Sequence, residues 1–144
     1  MLYKKIALNI NMPPKVQIAK GKKVPKKYVP KGLTEKDKKK QVKSILEKED
    51  RPKVESFKSK RSGLVKKFED KYKHKITDDK FISKNIIKQK GIELILDKGR
   101  GAYYSSGSRP NQTPESWARA RLAGVIMNSP ARKVDKKIWD KYKI

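Results

Sequence analysis

From residue 34 onward the apolar positions of this chain fall at helical spacing, and a start signal stands before almost every run. Thr34-Glu35-Lys36-Asp37 is a capping-box-like opening for a polar helix to about Glu49, with Val42, Ile45 and Leu46 as its narrow apolar stripe. Arg51-Pro52 ends it, because proline lacks a donor and restricts the residue before it. Residues 52–61 read as a Lys/Ser linker with Val54 and Phe57 as anchors. Ser62 is placed to cap a second helix reaching about Lys73, whose Leu64, Val65, Phe68 and Tyr72 share one face. Thr77-Asp78-Asp79 opens a third helix carrying Phe81, Ile82, Ile86 and Ile87. Gly91 breaks or weakens that pattern before Ile92-Glu93-Leu94-Ile95-Leu96, and Gly99 is expected to terminate it. Thr113 as N-cap, Pro114 at the first helical position and Glu115 in the first turn start a helix to about Met127, closed by Asn128-Ser129-Pro130. Asp135 is expected to cap a last short helix bearing Ile138, Trp139 and Tyr142.

No strand pattern of comparable quality appears, so the expected fold is mainly α: a small helical unit of about four to five short helices. An extended Pro/Lys-rich arm precedes it. Residues 1–33 hold Pro13, Pro14, Pro25 and Pro30, lysines throughout and no acid, and both fixed φ and like-charge repulsion oppose a helix there. The expected division is an arm over 1–33, a polar helix and linker over 34–61, and a compact helical domain over 62–144. Its core is expected to comprise Leu64, Phe68, Phe81, Ile82, Ile86, Leu94, Ile95, Trp117, Leu122, Val125, Ile126 and Trp139.

Charge changes the picture most. The chain carries 40 basic and 15 acidic residues, a net charge of +25, which favours association with a polyanion or an acidic surface. Lysine dominates the first half, where Arg51 and Arg61 are the only arginines, whereas Arg100, Arg109, Arg119, Arg121 and Arg132 lie close together later. Lysine suits unspecific attraction; arginine offers a planar fork for defined contacts. Hydrophobic residues make up 35%, below the globular norm of roughly 45–50%, so the core is expected to be small. The absence of cysteine excludes disulfides, thiolate zinc sites and cysteine nucleophiles. His74 reads as a surface residue and Asp78-Asp79 as a helix start, so the expectation is a protein that is not an enzyme and uses no cofactor or metal. Neither a secretion signal nor a membrane-spanning run is expected, and Met12 is a candidate alternative start.

The distinctive segment runs from Gly99 to Thr113, joining glycines, Arg100, Arg109, Tyr103, Tyr104 and small hydroxyl residues without an acid. It leads into a helix start, a combination suited to an anion. Partner- or anion-binding candidates are Arg100, Tyr103, Tyr104, Arg109, Thr113, Arg119 and Arg121, with Lys20, Lys22, Lys23, Lys26, Lys27 and Lys31 as a basic arm. Tyr103 and Tyr104 could stack on bases with help from Arg109; the competing reading makes one tyrosine a core plug. Arg119 and Arg121 sit about 200° apart on one helix and cannot both point the same way, so at least one is expected against protein or ligand with an acidic partner. The candidates are Glu93, Asp97, Glu115, Asp135 or an external phosphate, with an internal salt bridge bracing the glycine loop as the leading reading.

The string G-x-G-A-Y-Y-S-S-G-S-R-P-N-Q-T, continued by S-W-A-x-A-R-L to Leu122, resembles a family of small uncharacterised domains encoded by large DNA viruses of algae and protists and by some tailed phages. Ala131 through Asp135, Lys26 through Leu33 and Lys58 through Ser62 are similar too, so the resemblance spans roughly 22–138. It implies viral origin without a mechanism. The first functional expectation is therefore a minor capsid or cement-type subunit of the virion, binding acidic surfaces of other capsid proteins through its arm and helical domain. The alternative is a basic nucleic-acid-binding protein that condenses or accompanies viral DNA. Anionic inner-membrane headgroups are a further candidate partner, and no small-molecule substrate is expected.

Overall fold

A computed structural model describes residues 14–59 and 61–144. The earlier part of the expected arm, including Met12 and Pro13, lies outside the described residues. A hairpin of β1 (Lys15–Ala19) and β2 (Lys22–Pro25) leads through a 3-10 turn at Lys26–Tyr28 to α1 (Glu35–Leu46). The chain continues with α2 (Gly63–Tyr72), α3 (Asp79–Asn85), α4 (Gln89–Ser105), α5 (Pro114–Ile126), α6 (Pro130–Val134) and α7 (Lys136–Tyr142). The architecture is mainly helical, as its periodicity implied. No helix is long and apolar enough, among the described residues, to cross a membrane.

Local capping physics places most helix starts. Thr34, Ser62, Asp78 and Thr113 each accept a hydrogen bond from a backbone N–H three residues on, satisfying an otherwise orphaned donor. Asp135 stands before α7, but its carboxylate makes no cap bond because Arg121 holds it. The first helix ends at Leu46, short of Glu49, and Lys48 then takes a left-handed φ of 55°.

The main core gathers Phe68, Ile82, Ile86, Ile95, Leu122, Val125 and Ile126 as expected, with Leu64, Phe81 and Trp139 packed partly buried at its edge. Leu94 is only half-buried, and Trp117 belongs to a second cluster with Val24, Tyr28 and Ile45. Val65, Ile76, Ile87, Ile92, Leu96, Ala118 and Ala123 complete the main core beyond the expected set.

Three expectations are corrected. Gly99 does not terminate a helix: α4 runs through it to Ser105. Its role is close approach, since a Cβ there would sit 2.7 Å from the Ala118 Cα of α5. Gly91 is no break either, lying in the first turn of α4 with Tyr142 and Ile87 packed where a Cβ would stand. The interruption falls instead at 86–88, whose backbone groups bond to the C-terminal segment: Lys88 N donates to Tyr142 O and Ile144 N to Ile86 O, both at 2.9 Å. The described part of the arm is not a free extension. Val16 and Ile18 point one face of a hairpin inward, Gly21 turns it with a φ of +76°, and Val24 and Tyr28 pack on Ile45 and Trp117.

Buried Gln41 locks this layer to the body, its Nε2 donating to Tyr28 O at 2.9 Å and to Ser108 O at 2.8 Å. The linker is tied down as well. The Ser56 hydroxyl and amide both donate to Asp37, holding that carboxyl below its ordinary pKa, and Arg61 with the Ile76 amide does the same for Glu69.

Two outcomes follow. Gly99→Ala forces α4 and α5 apart and should lower stability by about 1–3 kcal/mol, whereas Gly101→Ala, on the open side of the same helix, should raise it by up to about 1 kcal/mol. Thermal melts of the two variants should therefore shift in opposite directions. The depressed Asp37 and Glu69 bind fewer protons folded than unfolded, so their contribution is complete above the unfolded carboxylate range of about 3.9–4.3 and lost as pH falls through the lower folded values. The melting temperature should change little from about pH 7 to 5 and drop below about pH 4, less so in the Asp37→Asn, Glu69→Gln double variant.

Candidate functional site

The helical run through Gly99 shortens the expected loop to residues 106–113, and its geometry comes from the end of α4. Tyr103 is fully buried; its hydroxyl accepts from Arg51 N at 2.6 Å and donates to Gln112 O at 2.9 Å. It plugs the core, and burial raises its pKa. The Arg51 guanidinium lies 4.8 Å from the Tyr103 ring centre and donates to the carbonyls of Ser44 and Glu49. Asn111 adopts a φ of 65°, and its side-chain amide bonds the backbone of Val54 and Phe57, stapling the linker to the loop. Thr113 and Ser116 form a reciprocal capping box at 3.0 Å in each direction.

The arginines separate into two kinds. Arg100 donates to Glu115 and to Asp97, which lowers the Glu115 pKa. Arg119 meets Asp79 at 2.6 Å and the Ile76 carbonyl, an acid absent from the expected candidates because it belongs to the α3 start. Arg121 makes a two-pronged contact with buried Asp135, 2.8 Å on each side. Arg132 donates to the carbonyls of Val125 and Ile126 and lies over Trp139. Arg109 differs: it is exposed, its carbonyl accepts from the Ser108 hydroxyl at 3.0 Å, and its guanidinium makes no ion pair or hydrogen bond among the described residues. Beside it, desolvation of the ammonium and the Arg109 charge both lower the pKa of Lys27.

Arg109 stands on the rim of a groove of about 960 Å³ between the first turns of α2 and α5. Leu64, Val65, Ile76, Trp117 and Ala120 supply its apolar floor; Lys67 joins Arg109 on the rim. Of the candidates read from the sequence, Arg109, Thr113 and Arg119 line this groove. Arg100, Tyr103, Tyr104 and Arg121 do not. Tyr104 donates to Asp50 at 2.7 Å on the exposed side of α4. The basic residues Lys20, Lys23, Lys26, Lys27 and Lys31 are exposed along the hairpin and the turn after it, and Lys22 reaches the Ser105 carbonyl at 3.5 Å. Trp117 and Lys67 are among the lining residues that sequence reasoning did not select as a site. No local pattern marks them, because the groove joins helices separated along the chain by α3 and α4.

Tyr103→Phe strands the Arg51 amide and the Gln112 carbonyl and should cost about 1–3 kcal/mol in urea unfolding. Tyr104→Phe removes one exposed bond and should cost no more than about 0.5 kcal/mol in the same assay.

No curated protein and no solved structure matches this chain. The family described as "Family of unknown function (DUF5824)" matches residues 25–140, from the last residue of the hairpin into α7. The match covers Tyr28, Trp117 and both walls of the groove, and the chain belongs to that family.

Proposed function

We propose that the protein is a non-catalytic nucleic-acid-binding protein whose Arg109-rimmed groove gives a defined contact within a broadly attractive basic surface. The observation that carries this reading is the exception among the arginines. Arg100, Arg119 and Arg121 are neutralised by Glu115, Asp79 and Asp135, and Arg51 and Arg132 donate to carbonyls. The Arg109 guanidinium, near enough to Lys27 to lower its pKa, has no partner among the described residues. On a chain of net charge +25, an unpaired guanidinium next to an ammonium favours a phosphate group. Exposed lysines on the hairpin and along α1 extend the positive surface away from the groove.

A second reading is a minor capsid or cement-type subunit of a virion. It draws on α1, where Val42 and Leu46 line a smaller groove of about 330 Å³ flanked by Lys38, Lys39 and Lys43, and where Leu46 is 42% exposed. That face suits a protein neighbour, and following the protein through fractionated particles distinguishes shell from genome.

Fluorescence anisotropy with a labelled oligonucleotide tests the first reading. The logarithm of affinity should fall with the logarithm of salt concentration with a slope of about −4 or steeper. Arg109→Ala should weaken binding by about tenfold, the scale of a lost charge-assisted hydrogen bond, against about twofold for Lys20→Ala or Lys31→Ala. Equal small effects at all three positions would remove the groove from the proposal.

A further inference from the structure

The groove is more apolar than electrostatic attraction requires, and that excess bears on the form of nucleic acid it accepts. We propose that the groove receives an unpaired base of a single-stranded nucleic acid against Trp117, with Arg109 and Lys67 taking the adjoining phosphates. This rests on the nucleic-acid reading above and narrows it.

A duplex presents phosphates and base edges, while its base faces are stacked on one another and unable to reach an apolar floor. A single strand has free base faces, and an aromatic ring beside a cationic rim matches them. The groove meets both requirements. Leu64, Val65, Ile76 and Ala120 form a floor on which a base is removed from water, and the volume of about 960 Å³ leaves room for sugar and phosphate as well. The Trp117 ring is already held in place, meeting Tyr28 edge-to-face with ring centres 5.7 Å apart. Little side-chain freedom remains to be lost on binding. The acids at or near the groove do not oppose an incoming phosphate freely: Glu115 is held by Arg100, Glu69 by Arg61 and Asp79 by Arg119.

The chain has two tryptophans, so a full-length Trp139→Phe variant leaves Trp117 as the sole tryptophan reporter. It is titrated at fixed salt with an oligothymidylate of about 12 nucleotides, within the site sizes of single-strand binders, and with a duplex carrying the same number of phosphates. The expected result is quenching of Trp117 emission by the single strand alone, with the single strand preferred by about 5–30-fold. Trp117→Leu should abolish that preference while salt-dependent binding of both forms persists. Should Trp117→Leu fail to fold, Arg109→Glu, at an exposed position, should weaken single-strand binding more than duplex binding. Equal affinity for both forms with unchanged Trp117 emission overturns this inference and leaves nucleic-acid binding standing. Binding of neither form at low salt overturns both and assigns the groove to an acidic protein partner.

Discussion

Gly99 allows α4 to lie against α5 so closely that any side chain at that position would meet the Ala118 backbone. This crossing joins the most extensively packed pair of elements in the molecule, and the other layers are referred to it. Beyond Gly99 the helix carries Tyr103 into the core, where its hydroxyl bridges the Arg51 amide and the Gln112 carbonyl. The position of Gln112 sets where the loop meets Thr113, and Thr113 caps α5. One missing Cβ thus governs helix separation, the path of the loop and the direction from which Arg109 approaches the groove.

Scarcity of acid organises the electrostatics. With 15 acids for 40 basic residues, most cations have no partner, yet the acids around α5 are concentrated on arginines. Asp135 is buried, and the Arg121 fork supplies both of its oxygens with donors. Arg119 and Arg100 brace α5 against the α3 start and α4 in the same way, though on more exposed ground where each pair contributes less. Because these pairs are satisfied, the unpaired positive charge lining the groove comes from Arg109 and Lys67. Paired and unpaired arginines share one short stretch of chain and are told apart by their spatial neighbours.

Sequence reasoning succeeded where the determining interaction is local. Thr34, Asp78 and Thr113 cap their helices through groups three residues away, so residue type and spacing reveal them. It failed where a distant partner supplied the decisive contact. Gly91 and Gly99 look like helix breakers because glycine is conformationally costly in a helix, but Tyr142 and Ala118 press against them and make a larger residue costlier still. The true interruption at 86–88 exists because the C-terminal segment completes its hydrogen bonds. The hairpin left a faint signal in Val16, Ile18 and Gly21, outweighed by surrounding prolines and lysines until its packing on Ile45 and Trp117 is known.

By itself, the sequence determined the mainly helical class, most helix starts and the strong positive charge, because propensity, capping and net charge are properties of short segments or simple sums. Only the tertiary structure decided which arginine stands free and where the groove lies. Arg109 is distinguished from Arg119 and Arg121 not by its neighbours in the chain but by the absence of a facing carboxylate. Asp135 stands among the candidate partners read from the sequence, whereas Asp79 reaches Arg119 from α3, 40 residues away, across a separation over which residue pattern carries no information.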